Sequence, residues 1–370
     1  AFGVDKAGEG TLEITSDWLD EEMEMSWMKE YVKKSDCGLT FLQTKGDAVK
    51  TILFSEEHFL KGKNIRPQFP GRNVGLMFGW ETSVNPFMQF PAYKEIADLP
   101  MDQKFKILKD PLFKEKLLSQ EPDFESEIMA RLADNPSNKT REEIAQDVAL
   151  PTTITSNYKT QFILGTPPNY EPKEEDSIAA IASRKDISEL EVMYDEMLQN
   201  QGTNLIYAAF TPYEKYKLDF VEQAYRLKSS VAGGSDGGAH CGLICDASMP
   251  TTNISHWGRD REAGRKFPLE MLIKKQTKDT AETFGLFDRG EIKSGMLADI
   301  NIIDFDKLNV SHPTMIHDLP LGGRRLVQDA TGYVATIKNG QVVSENGKAN
   351  GVLPGKLIRG KQVCEVKTGI

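Results

Sequence analysis

Strand-like segments that alternate with helix-like ones constrain this chain more than any other feature. Thr11 to Thr15 reads as a strand, and Asp20 to Lys34 places Met25, Met28, Tyr31 and Val32 at the spacing of one buried helical face. Leu39 to Gln43 is a second strand, Asp47 to Leu60 a second helix, and Asn64 to Phe69 a third strand ending at Pro70-Gly71. Strands that return in the same direction across intervening helices imply a parallel sheet.

The middle of the chain departs from this rhythm. Residues 99–150 are charged, helix-permissive and punctuated by Pro111, Pro122 and Pro136, while Phe105, Ile107, Leu108, Leu117 and Leu118 recur at helical spacing, which predicts short inserted helices. Gly165 to Asp176 reads as a surface loop by composition. Alternation then resumes, with helices at Ile178 to Ala182, Ile187 to Leu198 and Pro212 to Leu227, and strands at Asn204 to Phe210 and Ser229 to Gly234. Beyond Pro268 a helix runs to Phe284. Asp299 to Asp304 and Tyr333 to Lys338 then alternate apolar and polar residues, and Asn339-Gly340 is a strong hairpin signal, so the tail predicts a small antiparallel appendage.

Composition excludes several roles. Acidic residues outnumber basic ones by 55 to 45, a net charge of -10, so no basic stripe matches a phosphate backbone and nucleic acid is not an expected partner. No apolar run approaches the roughly 18–20 residues that cross a bilayer. No secretory pattern opens the chain, and Cys37, Cys241, Cys245 and Cys364 are too scattered for a disulfide framework, so a cytoplasmic location is expected.

The residue that best fits chemistry is Asp236. It ends the last predicted parallel strand, where (β/α) barrels build their active sites. Gly233, Gly234, Gly237 and Gly238 leave its carboxylate uncrowded. Ser-Asp-Gly-Gly is also a common turn composition in which the aspartate bonds its own backbone.

The run GGSDGGAHCGLICDASMPTTNISHWGRDREAGRKFPLE, followed by TKDTAETFGLFDRGEIKSGMLADINIIDFDKL, resembles the C-terminal part of the N-acyl-D-amino-acid deacylase (D-aminoacylase) branch of the amidohydrolase superfamily. The match rests on Ser235, Asp236 and Gly237, then on Thr277, Ala281, Gly285, Leu286, Asp288, Arg289, Gly290, Gly295, Ala298 and Asp299. Upstream, PGRNVGLMFGWETSVNPFMQFPAY is similar as well. The resemblance implies an α/β fold: a TIM-like amidohydrolase barrel, incomplete with about the last five of eight strands, over residues 1–284 with the helical insertion at about 99–150, and a β-sandwich portion over 285–370. It also implies that the first strands lie upstream of Ala1, so the chain is expected to join that N-terminal portion or a second copy of itself.

The activity implied is metal-dependent hydrolysis of a linear amide in an N-acyl-D-amino acid or a related small N-acyl compound. The alternative is a non-catalytic relative, or an inactive fragment, that acts in binding or assembly. Asp236 matches the family's metal-binding and proton-shuttling aspartate, with zinc or another divalent ion as cofactor. Superfamily members carry a histidine-x-histidine pair, and this chain has none: its histidines are His58, His240, His256, His312 and His317. If the strands at Leu12, Leu39 and Ile65 are the fourth to sixth of the barrel, Asp17, Gln43 and Gln68 occupy the ligand positions. Glutamine is a poor transition-metal ligand beside imidazole. For substrate, the candidates are His240, close after Asp236, then Arg72, Ser83 and Asn85 after the third strand, and His256 and Arg259 after the last. Each has a plain reading too, as a solvated or hydrogen-bonded loop residue.

Overall fold

The structure, a computed structural model, describes residues 2–16, 18–43 and 49–363. Strands β1 (Thr11–Ile14), β2 (Gly38–Leu42) and β3 (Ile65–Pro70) pair in parallel. The helices between them, Glu21–Lys34 and Val49–Leu60, cover one face. Asp20 caps the first by accepting from the Met23 amide; Glu21, Glu22 and Glu24 sit at its positive end and Lys33 and Lys34 at its negative end. Its buried residues are the four expected, Met25, Met28, Tyr31 and Val32, and they pack with Trp18, Leu39, Phe41, Phe54 and Ile65. Each such side chain contributes about 1.5–3 kcal/mol by leaving water, so this face locks the first two helices to the sheet.

After β3 the chain leaves the parallel sheet. Strands β4 (Val74–Phe78), β5 (Gln161–Ile163) and β6 (Ile206–Thr211) form a separate antiparallel sheet in the order β4-β6-β5. The strand expected at Asn204 to Phe210 as part of the parallel barrel therefore exists, but it pairs elsewhere. Two short partners captured it: β4 lies in a stretch read as loop, and β5 is three residues long. The insertion is helical as expected, over Met101–Leu108, Pro111–Leu118, Phe124–Ala133 and Arg141–Thr155. Asp110, Asp123 and Thr140 supply the caps. The helix expected from Pro212 to Leu227 is confined to Asp219–Tyr225, because Lys215 and Tyr216 take positive φ in a tight turn before it.

Strand β7 (Val231–Gly233) then returns to pair with β3, completing a parallel sheet of order β1-β2-β3-β7. The α/β character is as read, but no barrel closes among the described residues: the sheet is open at β1 and β7.

The remaining strands are antiparallel. They are β8 (Ile300–Ile303), β9 (Asn309–Val310), β10 (Thr314–Leu319), β11 (Gly323–Val327), β12 (Ala330–Thr331), β13 (Tyr333–Lys338), β14 (Gln341–Glu345) and β15 (Lys348–Ala349). The largest of these sheets runs β15-β14-β13-β8. Asn339 and Gly340, with φ of 51° and 76°, make the expected two-residue turn from β13 to β14. No helix among the described residues is long and apolar enough to cross a membrane.

Candidate functional site at the C-terminal edge of the parallel sheet

The ends of β1, β2, β3 and β7 share one edge of the parallel sheet, and a polar chain of side chains crosses its strands there. Gln68 on β3 donates both amide hydrogens, one to Glu13 Oε1 on β1 at 2.9 Å and one to Thr40 Oγ1 on β2 at 3.0 Å. Thr40 passes its own proton to the Arg66 carbonyl at 2.7 Å. On the far side, Gln68 closes against β7: a Cβ on Gly233 would stand 2.5 Å from Gln68 Oε1 and 2.8 Å from Gln68 Cβ. Gln43 at the end of β2 is fully buried, and its backbone amide donates to the Gln68 carbonyl at 2.9 Å. Glu13 and Thr40 were not singled out from sequence, although the alternation along TLEIT and GLTFL puts both on the face opposite the helices.

From β7 the chain crosses this edge. Gly234 has a φ of 82°, and a Cβ there would meet Pro70 at 3.2 Å and Leu42 at 3.4 Å, so glycine lets the backbone pass over the ends of β2 and β3. Asp236 follows, exposed and itself left-handed at φ 44°, and its carbonyl accepts from the Ala239 amide at 3.2 Å. The backbone therefore makes a turn here, through a main-chain bond, and the aspartate stays exposed on it. His240 has a φ of 43° and is also exposed; its carbonyl caps the amides of Leu243 and Ile244.

Arg72 anchors the far end of this loop rather than lining a pocket. Its guanidinium is fully buried, 2.9 Å from Asp246 Oδ1 and 3.0 Å from the Cys245 carbonyl, and lies over the Tyr170 ring with its carbon 3.8 Å from the ring centroid. Burial pushes the Asp246 carboxyl up from its ordinary value, and Arg72 partly offsets this. The pair ties the end of β3 to the loop that carries Asp236.

The other expected substrate contacts are also engaged by the protein. Asn85 donates to the Tyr93 hydroxyl at 2.9 Å and accepts from the Phe87 amide at 2.9 Å. Ser83 is exposed, and its amide donates to the Gly242 carbonyl at 2.9 Å, so this loop braces the Asp236 loop. Arg259 donates to the carbonyls of Phe305, Asp306 and Leu308 and pairs with Asp260. His256 Nε2 lies 2.9 Å from Glu171 Oε2. Glu171 also takes Arg261 through both oxygens, at 2.9 and 3.0 Å, and the Leu218 amide at 2.8 Å. Burial works against this carboxylate, but His256 and Arg261 hold its pKa down at about 2. Glu171 was missed because its segment reads as surface loop, whereas Tyr170 and Glu171 are only 3% and 7% exposed.

Amidohydrolases usually bind divalent metals, so the donor set must be weighed. Among the described residues no group of three or more His, Cys, Asp or Glu is placed to hold a metal ion. Asp17, one expected ligand, lies outside the described residues. Gln68 has both amide hydrogens committed, leaving a neutral carbonyl oxygen, which favours hard cations over zinc. The described residues do not fit the zinc that the resemblance implied.

With this geometry in place, comparison with known proteins adds one result: residues 191–344 match the model of the Amidohydrolase family. That stretch carries β6, β7, Asp236, His240, the Arg72 partner Asp246, and His256. It supports the amidohydrolase superfamily as the class and hydrolysis as the general activity. Neither the curated proteins nor the solved structures gave a match.

Proposed function

We propose that the protein hydrolyses the linear amide of a small N-acyl amino acid, of the D series, at the C-terminal edge of its parallel sheet. The observation that carries this reading is the placement of Asp236. Its carboxylate is exposed on a glycine-flanked turn at the end of β7, inside the segment that matches the Amidohydrolase family. In this reading Asp236 takes a proton from the attacking water as the water oxygen bonds to the acyl carbon, then returns it to the departing nitrogen as the C–N bond breaks. The carboxylate needs freedom of approach for this, which the surrounding glycines provide, and a fixed base, which Arg72 and Ser83 provide through the loop they hold.

A second reading, a non-catalytic member that binds or assembles, is favoured by one observation: Gln68 sits at a strand end where the resemblance expects a ligand, and it is used as a hydrogen-bond bridge. A panel of N-acetyl and N-formyl D- and L-amino acids, assayed for release of free amine, separates the two. Turnover of the D compounds supports the hydrolase. Binding of them without turnover supports the second reading, and turnover of the L compounds alone contradicts the stereochemical part.

A further inference from the structure

The helices Glu21–Lys34 and Val49–Leu60 turn their outer sides to solvent, and the charges there are sorted by end. Glu22 pairs with Lys50, and Glu21 accepts from the Thr51 amide at 3.1 Å, so the two helices start level. Lys63 pairs with Asp36 just beyond their far ends, so they run side by side in one direction. Asp20, Glu21, Glu22 and Glu24 crowd the starting end, whereas Lys29, Lys33 and Lys34 line the far half of the first helix. Glu30 takes Lys34, but Lys29 and Lys33 are exposed and have no ion pair among the described residues. Apolar surface lies alongside. Leu53 is 61% exposed, Leu60 60% and Val49 53%. At about 100° per residue these three point within roughly 40° of one another, which makes a stripe along the outer side of the second helix. Met23 is exposed on the first. A surface helix normally keeps such a stripe against a neighbour.

We propose that this two-helix face is where two copies of the chain meet, about a two-fold axis that crosses both helices. The charges select a second copy over a foreign partner: the axis reverses helix direction, so each acidic starting end meets the basic far end of the other copy. With Glu22 set opposite Lys33 of the second copy, the level start places Leu60 opposite the interval from Val49 to Leu53, and the apolar stripe closes on itself. Two helices of this length present about 20 Å by 20 Å, roughly 400 Å² per copy against the ~800 Å² of a standard interface, so the dimer is weak and reversible. The face lies behind the sheet, away from Glu13, Thr40 and Gln68, and is independent of the reaction assigned to Asp236.

The test is sedimentation velocity of the full chain across micromolar concentrations, at low and high salt. Reversible dimerisation is expected, weakened at least tenfold by Leu53→Lys, which brings two charges into the stripe at once, and weakened by salt, which screens the charged ends. Lys33→Glu and Glu22→Lys should each associate with itself several-fold more weakly, because each sets like charges face to face twice. Mixed in equal amounts they should pair as well as the unaltered chain, since opposite charges then meet at both ends. All three positions are exposed, and an unchanged melting temperature checks that the variants fold. A chain that stays monomeric throughout overturns the proposal. So does dimerisation indifferent to Leu53→Lys, which places the contact elsewhere, such as the open edge of β1, and so does a mixture that pairs no better than either variant alone.

Discussion

At the scale of single residues, the molecule is organised by two buried charge clusters flanking the Asp236 loop. Glu171 accepts from His256, Arg261 and the Leu218 amide, with its pKa near 2. Because the folded pKa lies below the ordinary value of about 4.5, this carboxylate contributes stability above that value and loses it as the pH falls toward 2. The difference corresponds to roughly 3 kcal/mol. Urea denaturation between pH 6 and 2.5 should show this loss, and Glu171→Gln should flatten it while destabilising the protein at pH 7 by about 3–5 kcal/mol. Arg72→Met, which leaves Asp246 buried without its partner, should cost about 3–5 kcal/mol as well; if it leaves stability unchanged, the anchor assigned to Arg72 is absent. Neither cluster was legible in sequence. Arg72 and His256 read as residues for a substrate because loop position is visible in a sequence, whereas the carboxylates that claim them, Asp246 and Glu171, are 174 and 85 residues away along the chain.

Among elements, local signals served well and pairing partners did not. The helix Glu21–Lys34 carries its buried face and its caps in its own sequence, so its position and facing were readable. Strand β6 was equally readable as a strand, but whether it joins the parallel sheet depends on β4 and β5, whose few residues carry little periodicity. The contact of β3 with β7 is where element packing meets the site. Gly233→Ala would drive a Cβ into Gln68, 2.8 Å from its Cβ, and disturb the bridge to Glu13 and Thr40. It should cost about 1–3 kcal/mol, measured by thermal unfolding, and lower turnover without altering the carboxylate of Asp236. Unchanged turnover in a folded Gly233→Ala protein would detach the Gln68 bridge from the site.

Across the whole molecule, the C-terminal strands hold the site from outside. Leu326 on β11 donates its amide to the Cys241 carbonyl at 2.7 Å, and Arg259 clasps the carbonyls of Phe305, Asp306 and Leu308. Arg259→Ala, which deletes several charge-assisted bonds at once, should lower stability by about 2 kcal/mol, with the loss appearing first as faster amide exchange in β8 and β9. The α/β class was legible from alternation alone. The resemblance led to an incomplete barrel of about five strands; the described parallel sheet has four and is open at β1 and β7, since the number of strands that meet is not set by the pattern within any one. The central claim is that Asp236 moves the proton in amide hydrolysis. The most direct measurement is kcat for an N-acetyl-D-amino acid in Asp236→Asn beside the unaltered protein, with melting temperature recorded for both. The account predicts kcat lower by about 10²–10⁴ with an unchanged melting temperature; a folded variant that keeps its kcat would contradict it.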